Sequence, residues 1–407
     1  MTKLTFKHLF TIMLLSGFCC LVTAQNKENS KEMEHSAPQA TAAEIKAPFG
    51  DIVDLVKPFI DTTPADRKDN ILVGELGKNI GNKEMIIKLA KEISNKKHPP
   101  YDSLLIAHKG KLVFESYYRR GRVDLPQYNS TKAYLSMAIG RAIQLGYLTM
   151  VDLDLPVISF LKELDTTNFV KGAEKITLHN ALTLQSGLRI DYEKEKNWNK
   201  QSPEQMKGQK HIQKYLEHSD PINTESQIFR YSHIGPRLMM QVLDAIVPGT
   251  ARDFIRNEVL NKMGITNYSW DDDVSGLPQS MYGAKFTPRD MLKWGMLVRN
   301  NGKWEGEQLI AEAYITKATN RIVSIEDESH ESFASKNGTN TGYGYFWWQI
   351  DMIVGNTNYF CTSATGGGGP YIMVIEELDL IVVATGHGGK VKPYQLTAER
   401  ILPAFIQ

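Results

Sequence analysis

Apolar and polar positions along this chain change period twice. Residues 103–108 and 111–117 carry apolar-rich runs on either side of Lys109-Gly110, which predicts two strands around a tight turn. Before them, Lys83 to Ser94 reads as a helix. From Ala133 to about Arg299 the period is mostly helical, interrupted at Asp154-Leu155-Pro156. Within that stretch, Ile176 to Leu188 reads as an amphipathic helix stopped by Ser186-Gly187. Strand patterning returns at Gly344 to Val354, Tyr371 to Ile375 and Leu380 to Thr385, and a last helix is expected at about Leu396 to Phe405. No internal repeat is visible. Strands at both ends with helices between them predict an α/β (α+β) fold. Its terminal segments pair in one antiparallel sheet flanked by helices, with a helical insertion at about 133–300. A cleft is expected where insertion and sheet meet.

The first residues follow a different pattern. Lys3 and Lys7 precede an apolar stretch from Leu9 to Val22, followed by Thr23-Ala24-Gln25. A positive start, a short apolar core and a small residue at the end predict a secretory signal peptide, 1–24, cleaved after Ala24. The apolar stretch is short for a membrane span. Residues 25–48 are polar and poor in large apolar side chains, which predicts a disordered leader before a domain at 49–407. Cys19 and Cys20 fall inside the signal, so Cys361 alone remains and no internal disulfide can form. Phe18 before Cys19 argues against a lipid-anchored cysteine. The protein is expected to be secreted or periplasmic.

Charge narrows the partners. Across 407 residues the formal net charge is +1, which suggests no nucleic-acid partner. His179 and His233 have no metal-ligand spacing to nearby acidic residues, and no metal or cofactor is expected. The oligomeric state is not legible.

The most informative residues are Asn129-Ser130-Thr131-Lys132, at the start of the helical run from Ala133. A serine one turn before a lysine, S-x-x-K, is a nucleophile-and-base arrangement. Residues three apart on a helix lie about 60° from each other and touch, whereas residues two apart point to nearly opposite sides. Position 129 therefore faces Lys132, and it holds asparagine, whose amide cannot be activated as a nucleophile. Ser130 is one position out of register, and reaches the lysine only if the helix begins after it. Taken alone, Asn129 or Ser130 also fits a helix N-cap. Asn129-Ser130-Thr131 matches a glycosylation acceptor too, a pattern frequent by chance.

The chain from about Ser103 to Phe405 resembles the serine β-lactamase/D,D-peptidase superfamily, closest to its class C-like esterase and 6-aminohexanoate-dimer hydrolase branch. The resemblance rests on landmarks in order: the Lys132 helix, Leu153-Asp154-Leu155-Pro156-Val157, Leu182 to Leu188, Phe229-Arg230-Tyr231-Ser232, Thr287-Pro288-Arg289-Asp290, Tyr343 to Trp348, and Glu377-Leu378-Asp379-Leu380. It implies a β-lactamase/transpeptidase-like fold. It implies that Tyr231, in Tyr231-Ser232-His233, shares protons with Lys132 as general base or acid, with His233 third in that motif. The family's third element, K-T-G or H-x-G, aligns with Gly367-Gly368-Gly369-Pro370. Gly367 stands where a basic or polar side chain is usual, and Pro370 where a backbone N–H would serve the oxyanion hole. His387-Gly388-Gly389 is expected to be a turn, and the Tyr343 to Trp348 aromatics are expected to be packing.

Three departures, Asn129, Gly367 and Pro370, imply a secreted hydrolase-like protein for an ester, small amide or β-lactam-like bond, with impaired or lost catalysis. Two alternatives stay open: an active serine hydrolase using Ser130 as a displaced nucleophile with Lys132 and Tyr231, or a non-catalytic protein that binds a small-molecule or peptide-like ligand or a partner. In the latter, Asn129, His233, Gly368, Gly369 and Pro370 would line the binding cleft. Asn129, Lys132 and Tyr231 are expected to converge, with Ser130 turned away.

Overall fold

The computed structural model describes residues 51–406 except 79, 120–124, 199, 326–336 and 388–390, together with residues 41 and 43. The expected signal peptide and leader thus lie outside the described residues, apart from these two positions. Among the described residues, no helix is long and apolar enough to cross a membrane.

A nine-stranded sheet forms the frame. Its strands are β1 (Asp54–Asp61), β2 (Tyr101–His108), β3 (Lys111–Arg119), β4 (Val323–Ser324), β5 (Gly338–Tyr343), β6 (Trp348–Val354), β7 (Thr357–Thr365), β8 (Tyr371–Ile375) and β9 (Leu380–Gly386). They lie in the order β1-β3-β2-β9-β8-β7-β6-β5-β4, with each neighbouring pair antiparallel. The N-terminal hairpin and the C-terminal strands meet at the β2–β9 pairing, where Leu104 faces Ala384 and Ile106 faces Val382. The two segments therefore share one antiparallel sheet, as the pattern predicted.

Local chemistry accounts for the elements. Lys109 (φ 49°) and Gly110 (φ 72°) are both left-handed and close the β2–β3 hairpin in two residues. The first helix, α1 (Lys83–Ser94), starts at Asn82, whose side chain accepts from the Met85 N–H. α2 (Thr131–Gln144), α3 (Leu178–Leu182), α4 (Tyr192–Trp198), α5 (Ile234–Ile246) and α6 (Pro288–Arg299) belong to the insertion. α6 opens on a Thr287 cap with Pro288 in its first turn.

Alternation along the central strands divides the core in two. Leu105, Ala107, Ile372, Val374, Ile381 and Val383 pack with the helices of the insertion. Leu104, Ile106, Met373, Ile375, Leu380 and Val382 pack with α1 and the C-terminal helical run, 393–404. Both faces are covered, so β8 and residues 380–384 of β9 are apolar throughout. α6 lies close on the first face because Gly295 has no side chain: a Cβ there would stand 2.7 Å from Ile381 Cγ2 and 3.0 Å from Ile372 Cγ2. Arg289 in its first turn reaches buried Glu115 on β3 with two bonds, Nη2–Oε1 at 2.8 Å and Nε–Oε2 at 3.1 Å. Arg67 Nη2 and Tyr117 OH also donate to Glu115, at 3.1 and 3.0 Å.

Several expectations need correction. The helix expected over Ile176 to Leu188 is only α3, five residues long. The Thr183 hydroxyl bonds back to the His179 carbonyl at 2.8 Å, and Leu184 is left-handed (φ 58°), so the chain turns before Ser186-Gly187. The strand expected from Gly344 begins only at Trp348. Gly344 N–H bonds the Trp347 carbonyl at 2.8 Å in a turn, with Phe346 at φ 65°. The C-terminal helical run starts earlier than expected, at Pro393. β1, β4, β5 and β7 lie outside the strands that the sequence pattern predicts; β7, Thr357–Thr365, is rich in Thr, Ser and Asn and lacks a strong apolar alternation.

Candidate active site

The site is built at the N-terminus of α2. A tight helical turn, Tyr128–Ser130, runs directly into α2. Ser130 has helical dihedrals, φ −61° and ψ −22°, and makes no side-chain cap bond. Helical register therefore already holds at 129, and residues 129 and 132 share a face. The backbone before it is pinned: the Gln127 N–H donates to the Ala284 carbonyl at 3.0 Å, and the Ala284 N–H donates to Thr131 Oγ1 at 3.3 Å.

Lys132 is buried, 1% exposed. Its Nζ donates to Asn129 Oδ1 at 2.7 Å and to Tyr231 OH at 3.2 Å, and lies 4.3 Å from the centre of the Tyr231 ring. Burial disfavours the ammonium, and pulls its pKa down to about 7. Near neutral pH a substantial share of the amine is thus uncharged and able to take a proton. Tyr231 is pushed the other way: burial disfavours the phenolate and raises its pKa, against a hydrogen bond with the Trp348 indole. It stays protonated. The aromatic rings of Trp348 and Tyr343 pack around it, with centroids at 5.3 and 6.3 Å. The Tyr343 to Trp348 aromatics are buried, with Trp348 also placed against the candidate acid.

Ser130 is not brought to the lysine. Among the described residues its buried Oγ has no hydrogen-bond partner; in helical register it points away from Lys132. The route by which Ser130 would lie outside the helix and swing round is not the one this backbone takes.

His233 precedes α5 and is partly exposed. Burial, the Arg237 charge and the Lys132 charge pull its pKa down to about 4, against the opposing effect of Glu195. The ring is therefore neutral at neutral pH. Its Nε2 stands 3.7 Å from Glu195 Oε1 on α4. Glu195 is held by Arg237 and accepts from Tyr215 OH at 2.9 Å. Sequence reasoning missed Glu195, Arg237 and Tyr215. His233 and Arg237 are four apart at the start of α5, the one signal that pointed to this pair.

The glycine run lies in the loop between β7 and β8, not on a strand. Gly366 N–H donates to the Pro370 carbonyl at 2.8 Å, closing the loop. Gly368 (φ 92°) and Gly369 (φ 125°) are left-handed. This loop packs on residues 127–128, since a Cβ at Gly366 would stand 2.4 Å from the Gln127 carbonyl oxygen. Gly367 faces open space, and Pro370 is buried. His387, just past β9, does not enter the site: its Nδ1 bonds buried Asp102 at 2.5 Å. Gly388 and Gly389, expected in a turn with it, lie outside the described residues. A cavity of about 660 Å³ opens between residues 66–73 and Trp304 and contains none of the site residues. Among the described residues, no three His, Cys, Asp or Glu side chains converge as a metal-binding group.

A buried lysine bonded to a tyrosine, one helical turn from position 129, can pass a proton between an amine near pKa 7 and a phenol. What it lacks at 129 is a hydroxyl to receive that activation.

The fold is shared with solved structures. A class C beta-lactamase is 17% identical, with a TM-score of 0.58 over 80% of this chain and 96% of that one. A Bacteroides dorei protein proposed to be a beta-lactamase is 15% identical, with a TM-score of 0.63 over 80% of this chain and 100% of that one. A Bacillus anthracis protein proposed to be a 6-aminohexanoate-dimer hydrolase is 14% identical, with a TM-score of 0.54 over 88% and 90%. At these identities the likeness is one of fold. None of the curated proteins matches the chain. The Beta-lactamase family model matches residues 86–404, from α1 through the helical insertion to the C-terminal run that closes the sheet. With most of the chain so matched, and with Lys132 and Tyr231 meeting at the head of α2, the protein belongs to the beta-lactamase family.

Proposed function

We propose that this is an exported member of the family that binds a ligand with an ester, small amide or β-lactam-like bond and does not form a serine acyl-enzyme. One observation carries the reading: Asn129 Oδ1 accepts from Lys132 Nζ at 2.7 Å, where S-x-x-K would set the nucleophilic hydroxyl. Lys132 and Tyr231 then act as hydrogen-bonding groups for the ligand. Asn129, His233 and the Gly368-Gly369-Pro370 loop line the cleft beside them. Export rests on the lysine-led apolar segment before Ala24.

The test is covalent labelling of the mature protein with a fluorophosphonate and with benzylpenicillin, read by intact mass. No adduct is expected on the wild type, and Asn129→Ser should recover partial labelling at position 129. Rapid stoichiometric labelling of the wild type at Ser130 would overturn the proposal in favour of the displaced-nucleophile enzyme. Cleavage after Ala24 is tested by N-terminal sequencing of exported protein; an N-terminus at Met1 would refute it.

A further inference from the structure

Tyr128 immediately precedes Asn129 and has a left-handed backbone, φ 45°. A bulky residue there is a conformational outlier, and such outliers persist only where the surroundings impose them. Here they do. On one side Gln127 is fully buried, its Oε1 accepting from Tyr134 OH at 2.7 Å and its amide donating to the Leu125 carbonyl at 3.0 Å. On the other, Thr131 is tied to Ala284 at 3.3 Å. With both flanks fixed, the side chain at 128 is turned outward and is 37% exposed.

Its ring lies against the glycine loop. A Cβ added at Gly368 would meet the ring at 3.3 Å, and one at Gly366 would stand 3.1 Å from Tyr128 Cβ. Gly367 beside them has open space. The loop backbone thus supports an exposed ring on the residue just before Asn129.

We infer that Tyr128 determines the specificity of this cleft, selecting amide, ester or β-lactam-like ligands with an aromatic substituent that stacks on its ring. The inference rests on the proposed non-covalent binding. The strain at φ 45° keeps the ring turned out before the ligand arrives, so little side-chain freedom is lost on binding.

The experiment compares benzylpenicillin with 6-aminopenicillanic acid, which share the β-lactam nucleus and differ in the phenylacetyl group. Dissociation constants are measured by calorimetry for the mature wild type, Tyr128→Ala, Tyr128→Phe and Tyr128→Gly, with intact mass followed in parallel. The wild type should bind benzylpenicillin about 2- to 12-fold more tightly, the yield of a well-formed aromatic contact. Tyr128→Phe should keep that ratio, while Tyr128→Ala and Tyr128→Gly should bring it close to one. The glycine variant accepts the left-handed backbone without strain, so a folding defect does not explain its loss. A wild type without preference, a preference that survives in both small variants, or no binding of either compound would overturn the inference. A mass adduct on the wild type would instead sink the non-acylating reading, while the benzylpenicillin preference, then read as relative acylation rates across the Tyr128 series, would still decide the role of the ring.

Discussion

Replacing Lys132 by methionine should make the protein more stable, and by an amount that depends on pH. The lysine is 1% exposed, and its amine titrates near 7 when folded against an ordinary value of 10.5. Between those values the unfolded chain holds a proton that the folded chain lacks. Stability therefore falls as the pH is lowered through that window and levels off below about 7. A tenfold difference in proton affinity between the folded and unfolded chains is worth about 1.4 kcal/mol, so the burden is about 4 kcal/mol at pH 7 and falls to about 1–2 kcal/mol at pH 9.5. The bonds to Asn129 and Tyr231 offset about 1 kcal/mol each. Methionine, which nearly matches the lysine stem in volume, loses those bonds and removes the charge. The variant should gain about 2 kcal/mol at pH 7 and be about as stable as the wild type at pH 9.5. Urea unfolding of both proteins at the two values measures this. Other titrating groups cancel in the difference, since Tyr231 stays protonated and His233 neutral over the range. A stability difference that does not change between pH 7 and pH 9.5 would refute the reasoning, because it would place the amine pKa near its ordinary value.

Three further outcomes follow from the site and its frame. The double variant Asn129→Ser/Pro370→Gln should be acylated by a fluorophosphonate faster than Asn129→Ser alone, by up to about 100- to 1,000-fold, because it regains a backbone N–H; equal rates would show that Pro370 does not occupy the oxyanion position. Arg289→Met should cost about 3–5 kcal/mol in urea unfolding, since it strips buried Glu115 of its two-bond partner; a cost below about 1 kcal/mol would mean that Arg67 and Tyr117 satisfy the carboxylate unaided. Gly295→Ala should cost about 1–3 kcal/mol, because the new Cβ stands 2.7 Å from Ile381 on the sheet; an unchanged melting temperature would mean that α6 shifts freely.

Periodicity and turn chemistry are local properties, and they were legible without a structure. The β2–β3 hairpin around Lys109-Gly110 and the helix Lys83–Ser94 follow from such signals. So does the strand Tyr371–Ile375. The pairing of Asn129 with Lys132 follows from helical spacing alone, given that the helix reaches back to 129. β7 was invisible for a physical reason: its neighbours in the sheet, rather than an apolar pattern of its own, make Thr357–Thr365 a strand. α3 was overestimated because its apolar spacing continues to Leu188, while the backbone turns left-handed at Leu184, which apolar spacing does not report.

What the sequence by itself determined is which chemical groups are present and which are missing: a lysine at 132, a tyrosine at 231, an asparagine at 129, and a proline at 370. What only the tertiary structure decided is their environment. Burial, which no linear pattern states, brings Lys132 down to about 7 and keeps Tyr231 protonated. Contacts across distant segments set Glu195 beside His233, and the glycine loop beneath Tyr128. Residue identity is carried by the chain, but solvation and through-space distance arise only once α2, α4, α5 and the β7–β8 loop pack together.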